Sequence, residues 1–407
     1  MQLYTGSNQD NKSTIIMILL FCTSLFSASI ITVDFVGFKL SIFRGLVFLC
    51  FSYLCLTPTK KYNIYSAFML LWLLWGLLGG ILVTDRSAWI KELFFVLVAV
   101  TCVEFFRRKM VSSNILIRMC KAFTLFIGIH NGIGYYEIIT RHYSWVSPEL
   151  SKTYGFIYGY IPVSVFYNAN NYATVLLFGI AIAAIAIKYS RAFEKFIFIP
   201  ILVSSIIQII LTLSRANLIA LSIGFFLFLA IKRVRNQNRI IIAILLVVVG
   251  GFILASPMGG MLISKVASYF NFKITNGSEN LRITLLEAGW KSFKQSYFLG
   301  TGAGNLPVSI TLITGIPGGQ LHFWWLDVLF TYGPLIWILY IGCYLRIVKE
   351  NFLQAIDGSF VSRVLFAYMV AYVVGACSSS SVMSLEAIWA AWAFIIAYRI
   401  NSNSINL

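Results

Sequence analysis

Apolar runs long enough to cross a lipid bilayer dominate this sequence and constrain its fold more than any other feature. A spanning helix needs about 20 mainly apolar residues. The chain has 407 residues, of which 59% are hydrophobic and 11% charged, whereas about a quarter of the residues in a soluble domain are charged. The composition therefore predicts an all-α polytopic membrane protein that forms a single domain over residues 1–407.

Twelve apolar runs are candidate transmembrane helices. They cover residues 14–33, 40–56, 64–83, 88–105, 115–139, 170–187, 194–213, 216–231, 240–255, 323–347, 361–377 and 384–398. The first run is long enough to span and lacks a small-residue cleavage site, so we expect no cleaved signal peptide. The seven cysteines lie in or beside these runs without metal-type spacing, which indicates buried apolar side chains.

Basic residues between the runs predict the orientation of the chain. With the N-terminus cytoplasmic, the inside loops contain Lys60 and Lys61; Arg107, Arg108 and Lys109; Lys188, Arg191 and Lys195; Lys232, Arg233, Arg235 and Arg239; Arg346, Lys349 and Arg363. An even number of spans returns the C-terminus to the cytoplasm. The net charge of +17 follows this pattern and forms no single patch, which argues against nucleic-acid binding.

One long polar segment, residues 256–321, separates the ninth and tenth predicted spans and therefore lies on the periplasmic or outer face. The charged residues of this segment are mostly basic, whereas basic residues usually concentrate in cytoplasmic loops. This departure favours an anionic ligand. Apolar residues at steps of three and four predict an amphipathic helix along the membrane interface. This apolar stripe consists of Ile283, Leu286, Trp290, Phe293 and Tyr297.

Three residues on the predicted outer face are candidates for catalysis. Arg215 lies at the membrane edge, where a guanidinium either snorkels to the interface or binds phosphate oxygens. Arg282 lies off the apolar stripe, and it is either solvated beside lipid headgroups or part of an anion site. His322 opens the tenth span, either as a neighbour of interfacial tryptophans or as a general base.

The candidates for substrate binding are Asn168, Asn170, Asn171, Trp290, Gly302, Gly304, Trp325 and Asp327. The asparagines precede the sixth span, where they bind sugar hydroxyls or cap a helix. The glycines belong to a turn that resembles a phosphate cradle but lacks a Walker lysine, so a flexible turn is the alternative. The aspartate lies inside a span, where it would orient His322 or pair with Arg215.

Four short motifs, in one order and on one face, resemble the O-antigen ligase and O-antigen polymerase superfamily. They are Asn168-Ala169-Asn170-Asn171-Tyr172-Ala173; Thr212-Leu213-Ser214-Arg215; Arg282 with Leu286, Trp290 and Gly300-Thr301-Gly302-Ala303-Gly304; and His322 with Gly333. The resemblance covers about residues 165–345. Phe323 and Ile336 depart from the ligase pattern, so the chain looks closer to the polymerases of O-antigen or capsule repeats.

The resemblance implies a glycosyltransferase of the bacterial cytoplasmic (inner) membrane whose donor glycan is carried on undecaprenyl pyrophosphate. Arg215 and Arg282 would bind the pyrophosphate and His322 would deprotonate the acceptor, with inversion and without a metal or cofactor. A repeat-unit polymerase is the expected activity. The alternatives are an O-antigen ligase acting on lipid A-core, a lipid-linked oligosaccharide flippase and a membrane scaffold. Membrane lipid, a flippase and a chain-length regulator are the expected partners besides the lipid-linked oligosaccharide.

Overall fold

The computed structural model of the protein describes residues 5–26, 32–35, 38–58, 63–81, 83–146, 160–231, 276–316, 318–379, 382–402 and 404–405. The described helices are α1 (Thr5–Thr23), α2 (Ile42–Leu56), α3 (Ile64–Leu78), α4 (Arg86–Lys109), α5 (Ser113–Thr140), α6 (Ala169–Lys188), α7 (Ala192–Leu211), α8 (Arg215–Ala230), α9 (Asn276–Gln295), α10 (Leu306–Thr314), α11 (Trp324–Ile356), α12 (Phe360–Gly375) and α13 (Glu386–Asn401). A 3-10 turn, Gly79–Ile81, follows α3. One antiparallel hairpin pairs β1 (Thr32–Phe35) with β2 (Phe38–Ser41).

The helices confirm the predicted all-α fold. Eleven of the twelve predicted spans overlap a described helix, and the remaining one, residues 240–255, lies outside the described residues. Four helical stretches in the described part of the chain are long and apolar enough to cross a membrane. They are Ile64–Ile81, Ala169–Lys188, Ala192–Leu211 and Trp324–Ile356. The count of twelve spans and their orientation stay predictions.

The first predicted span is wrong in its second half. Helix α1 ends at Thr23, whereas the apolar run predicts a helix to residue 33. At this end the hydroxyls of Thr23 and Ser24 donate to the carbonyls of Leu19 and Phe21. Such side-chain bonds compete with the backbone pairing that would continue a helix. The chain then forms a hairpin, in which Thr32 lies opposite Ser41.

Helix α13 lies in the middle of the core and is covered by protein on every side. Its residues from Glu386 to Tyr398 are all buried, and the helix packs along α4. The ring of Phe394 stacks on Phe21 of α1 at 5.3 Å, and Phe21 stacks on Phe123 of α5 at 4.3 Å. A helix that is apolar all round needs such cover, so α13 organises the packing of its neighbours.

Contacts between helix termini define two ends of the bundle. At the inner end, the side-chain amide of Asn401 in α13 donates to the carbonyls of Arg107 and Met110, where α4 ends. At the outer end, the N–H of Trp324 at the start of α11 donates to the carbonyl of Ala376, where α12 ends, at 3.3 Å. The basic-residue pattern predicts that the inner end faces the cytoplasm.

Helix α11 is broken near its outer end, at Gly333. This glycine has φ 78° and ψ 176°, and Pro334 follows it. Proline supplies no N–H and disfavours a helical conformation in the residue before it. Three carbonyls before the break receive donors from other segments: Phe330 O from Thr301 N (2.9 Å), Thr331 O from Gly302 N (3.0 Å) and Tyr332 O from Trp75 Nε1 (2.8 Å). A backbone polar group in a membrane needs a hydrogen-bond partner. The glycine-rich turn supplies donors for two of these carbonyls, which the broken helix leaves without helical partners.

Candidate functional site

Residues 375–379, which we call the end turn, join the starts of three helices at the outer end of the bundle. The end turn accepts the N–H of Trp324 from α11. Ser378 Oγ accepts a hydrogen bond from Asn217 Nδ2 in the first turn of α8 at 3.0 Å. Ser379 Oγ donates to Asn171 Oδ1 in the first turn of α6 at 2.5 Å. The starts of α6, α8 and α11 are therefore held beside one another.

Arg215 is the first residue of α8 and is exposed at the outer end. Leu213, in the tight turn before it, has φ 58°, a left-handed conformation that is costly for a residue with a side chain. Leu213 packs against a small buried cluster that includes Tyr143 and Val163, and this packing holds the turn in place. The start of α8 is thus fixed on one side by Leu213 and on the other by Asn217.

His322 lies just before α11, is partly buried, and also adopts a left-handed conformation, with φ 53°. Its Nδ1 is buried and, within the described part of the chain, has no hydrogen-bond partner. An unsatisfied buried polar atom costs about 1–3 kcal/mol, and backbone strain of this kind concentrates at functional sites. His322 therefore combines backbone strain with an unsatisfied buried nitrogen, two features that are common at functional sites.

Arg282 in α9 is exposed and lies near enough to His322 for its charge to act on the imidazole. Burial, the larger effect, and this positive charge together lower the pKa of His322 from 6.5 to about 4. The imidazole is consequently neutral at physiological pH and able to accept a proton. Two of the three predicted catalytic residues are neighbours, and the end turn brings Arg215 to the same end of the bundle.

The predicted helix of the outer segment exists as α9, but its packing face is offset from the predicted stripe. Within the stripe only Phe293 is buried, whereas the other four residues are exposed. The side chains that pack on the protein include Leu285 and Ala288, which form a cluster with Leu321 and Phe330. The exposed apolar face of α9 is the part expected to meet the membrane interface. The preceding part of the segment, residues 256–275, lies outside the described residues.

Gly302 and Gly304 lie where three backbone segments meet, which leaves less room than an open phosphate cradle. The N–H groups of Thr301 and Gly302 donate to the carbonyls of Phe330 and Thr331 in α11. Gly304 has φ 71°, and a Cβ there would lie 2.2 Å from the carbonyl oxygen of Ala88. The turn needs glycine for this close approach, and a contact of Gly302 or Gly304 with the substrate stays a prediction.

The asparagines at the start of α6 have separate roles. Asn168 is the N-cap, and its Oδ1 accepts the N–H of Asn170 at 2.8 Å. The amide oxygen of Asn171 is buried against Ser379. The capping alternative therefore holds for Asn168, and Asn171 fastens α6 to the end turn. Asn170 is partly buried, and a contact with sugar hydroxyls remains a prediction for this residue.

The two candidate tryptophans differ in accessibility. Trp325 is buried, and its Nε1 donates to the carbonyl of Val373 in α12 at 3.0 Å. Its predicted role as a substrate contact is corrected to packing, because protein covers the ring. Trp290 is 43% exposed, and Lys294 Nζ lies 5.3 Å from its ring centroid. Trp290 thus remains a candidate for stacking on a sugar.

Asp327 is near a second acid that the sequence interpretation missed. The described residues show no hydrogen bond or ion pair between Asp327 and His322, so the predicted orienting role is not supported. Asp327 lies within electrostatic range of Glu92, which accepts a hydrogen bond from the Tyr332 hydroxyl at 2.6 Å. The available signal was an acid inside the fourth apolar run, where a charge is expensive. Pairing of Asp327 with Arg215 stays a prediction.

The fold and the site define a class: a helical, multi-pass membrane protein with cations and an imidazole at one end of its bundle. A family model described as O-Antigen ligase matches residues 200–341. This range contains all three predicted catalytic residues. The teichuronic acid biosynthesis protein TuaE of Bacillus subtilis (strain 168) is 25% identical over 359 residues, covering 81% of this chain and 70% of that protein.

Both matches confirm the predicted resemblance to the O-antigen ligase and polymerase superfamily. They support a glycosyl transfer function of the polymerase or ligase type in polysaccharide biosynthesis. Within the described residues, no group of three or more His, Cys, Asp or Glu side chains is arranged to hold a metal ion.

Proposed function

We propose that this protein joins oligosaccharide repeat units carried on undecaprenyl pyrophosphate, at the outer face of the bacterial cytoplasmic membrane. The observation that carries the proposal is the proximity of Arg282 to His322, whose Nδ1 is buried without a partner among the described residues. The end turn brings Arg215 to the same end. A relative named for teichuronic acid biosynthesis supports a polysaccharide product.

In the proposed reaction, a sugar hydroxyl of one lipid-linked unit attacks the anomeric carbon of another. A new glycosidic bond forms, the bond between that carbon and the phosphate oxygen breaks, and undecaprenyl pyrophosphate leaves with the electron pair. Attack from the side opposite the pyrophosphate inverts the configuration. Arg215 and Arg282 stabilise the negative charge that grows on the leaving group, and such contacts contribute about 3–4 kcal/mol each. His322 takes the hydroxyl proton.

The pKa of His322 fits this order of events. With a pKa of about 4 in the free protein, the imidazole is held neutral and ready to accept a proton. The donor then brings negative charges beside Arg282, and these oppose the effect of the guanidinium on the imidazole. Binding of the donor therefore raises the pKa of His322 and makes it a stronger base when the acceptor hydroxyl is present.

The polymerase alternative is favoured over the ligase by the two departures from the ligase pattern in the sequence. Ile336 is completely buried in α11. Phe323 packs against the main core and against the cluster that α9 forms with Leu321 and Phe330. These residues act on the site through packing, so the choice of acceptor depends on other surfaces. An O-antigen ligase that transfers the same donor glycan to lipid A-core remains the second candidate.

The decisive experiment supplies purified protein with a radiolabelled lipid-linked repeat unit, with and without lipid A-core. A ladder of products that differ by one repeat unit, formed without lipid A-core, is the expected result. A single transfer that requires lipid A-core would replace the polymerase with the ligase. Unchanged donor in both arms, with several authentic repeat units tested, would remove glycosyl transfer from consideration.

The same assay separates an enzyme from a flippase, because detergent solution has no barrier to cross. The expected catalytic variants, Arg215→Ala, Arg282→Ala and His322→Ala, lower the rate of ladder formation by about 100-fold or more while retaining the fold. Lys291→Ala, which removes another exposed cation of α9, is the control and keeps activity. A ladder that survives all three site variants would favour a scaffold role for these residues.

A further inference from the structure

The side chain of Asn217 lies in a hydrogen-bond network at the outer end of the bundle. It is completely buried, and its Nδ2 lies 2.9 Å from Ser214 Oγ, 3.0 Å from Ser378 Oγ and 3.4 Å from the carbonyl of Asn170. Its Oδ1 accepts the hydroxyl of Thr174 at 3.3 Å. One side chain thus ties the start of α8 to α6 and to the end turn.

The start of α8 depends on this side chain more than an ordinary helix start would. Ser214 is the N-cap, yet its side chain makes no capping bond to the backbone. Its hydroxyl instead accepts from Asn217. The preceding Leu213 is in a strained left-handed conformation. Because the usual cap is absent and the turn is strained, Asn217 supplies the polar contacts that fix the first turn, where Arg215 lies.

The surroundings leave Asn217 little freedom to move. A Cβ at Gly375 would lie 2.9 Å from Asn217 Oδ1 and 2.8 Å from a methyl group of Leu177. Glycine at this position therefore lets the last turn of α12 approach the amide directly. Buried polar groups that have all their partners rigidify a site. The amide is consequently held in one orientation by groups from α6, α8 and the end turn.

We infer that Asn217 is a positioning residue that holds Arg215 against the leaving pyrophosphate. The inference rests on the proposed function, since it gives Arg215 a role on the donor. A displacement of about 1 Å in a group that stabilises a transition state costs about 100-fold in rate. Asn217→Ala should therefore lower kcat by about 10-fold to 100-fold and change the KM for the donor by less than about 3-fold.

A double-mutant cycle with Arg215→Ala tests whether Asn217 acts through Arg215. If it does, Asn217→Ala causes no further loss of kcat once Arg215 has been replaced, because the group being positioned is gone. Equal fold losses in the wild-type and Arg215→Ala backgrounds would overturn the inference. So would a loss confined to the KM for the donor.

Asn131 provides the matched control. It is also buried, and its amide joins α5 to α7 and α6 through Ser205 and the Tyr172 hydroxyl. Asn131→Ala removes the same kind of buried side chain away from Arg215. Any effect it has on kcat should be the same in both backgrounds. Non-additivity for Asn131 equal to that for Asn217 would show a general loss of packing and would overturn the inference.

Ser378→Ala serves as a milder test if Asn217→Ala does not fold. It removes the partner at 3.0 Å and leaves the other bonds of the amide. A smaller loss of kcat is expected, again only when Arg215 is present. Full activity of Arg215→Ala itself would contradict the proposed function. An inactive Arg215→Ala together with a fully active, folded Ser378→Ala and Asn217→Ala would contradict the positioning role alone.

Discussion

The two ends of the helix bundle differ in backbone strain, although ion pairs occur at both, with Arg44 bonded to Glu386 at the outer end. At the inner end, basic side chains are paired with acids: Arg346 and Arg399 both bond to Glu350, and Lys121 bonds to Glu194. At the outer end, several non-glycine residues have positive φ, a left-handed backbone conformation that residues with a side chain rarely adopt. The described non-glycine residues with positive φ, all in outer-end connections, are Arg141, Tyr160, Ser164, Tyr167, Leu213, Tyr297, Phe298 and His322.

This difference separates groups that serve the fold from groups that serve chemistry. Charges on the inner side are predicted to set the orientation of the chain, and pairing them with acids adds to stability without strain. The outer end maintains strained turns and an unsatisfied imidazole nitrogen, which lowers stability. A protein keeps such features where they position reacting groups. The comparison therefore favours the outer end as the place of the predicted catalytic residues.

The largest expected effect is that of His322→Ala on turnover. Loss of a general base lowers kcat by about 100-fold to 10,000-fold, with the variant folded and the donor still bound. His142→Ala, which removes an exposed histidine of the outer loop, is the control and should leave kcat unchanged. The measurement is the initial rate of ladder formation. An activity of His322→Ala above about one tenth of wild type would contradict a proton transfer by this residue.

The next effect concerns Arg282 and the pH dependence of kcat/KM. Arg282→Gln should lower kcat by about 100-fold, and it should also move the acid limb of the profile. Neutral His322 is the active form, so wild-type activity falls as pH drops through its pKa of about 4. Removing the positive charge raises this pKa towards 6.5, and activity is then lost at a higher pH.

The pH profile of the residual activity distinguishes proximity from a general loss of structure. Lys294→Gln, which removes another cation of the same helix, is the control and should leave the acid limb in place. An acid limb that does not move in Arg282→Gln would contradict an electrostatic effect of Arg282 on His322.

The helices were predictable because apolar runs of the required length have few other folds available. Placing Arg215 and His322 at one end followed from counting those runs. The bonds that hold them were not predictable, since Asn217 and Ser378 are 161 positions apart and Asn171 and Ser379 are 208 apart. No periodicity connects such pairs. Ser378 and Ser379 appear in the sequence only as small polar residues after a span.

The glycine-rich turn shows the same limit of local patterns. Its composition is compatible with a phosphate cradle but favours a flexible turn, because it follows a helix and lacks a Walker lysine. The structure gives it a third role, because α4 and the broken part of α11 approach it from distant parts of the chain. Likewise, an apolar stripe with the correct period identified α9 but did not identify the face that packs. Several side chains of the stripe remain exposed, and a neighbouring face is buried.

A smaller effect, on stability, is expected for Gly304→Ala. The added Cβ would lie 2.2 Å from the Ala88 carbonyl oxygen, so the turn and α4 must move apart, at a cost of about 1–3 kcal/mol. Gly315→Ala is the matched control, because Gly315 has the same φ of 71° and no atom within 4 Å. Thermal unfolding in detergent measures both. Equal destabilisation would mean that backbone strain, rather than close approach at the outer end, explains the glycine.

The smallest expected effect is that of Glu350→Gln at the inner end. The carboxylate accepts hydrogen bonds from Arg346 at 2.9 Å and Arg399 at 2.8 Å, and partly exposed ion pairs of this kind contribute about 1 kcal/mol. The midpoint of thermal unfolding should fall slightly, and the fall should shrink at high salt because ions screen the pairs. Glu287→Gln, which changes an exposed acid of α9, should change neither the midpoint nor its salt dependence.

The rate of ladder formation should be unaffected by Glu350→Gln, since this residue lies at the opposite end from the imidazole. A large loss of kcat with a normal unfolding midpoint would break the division between the two ends.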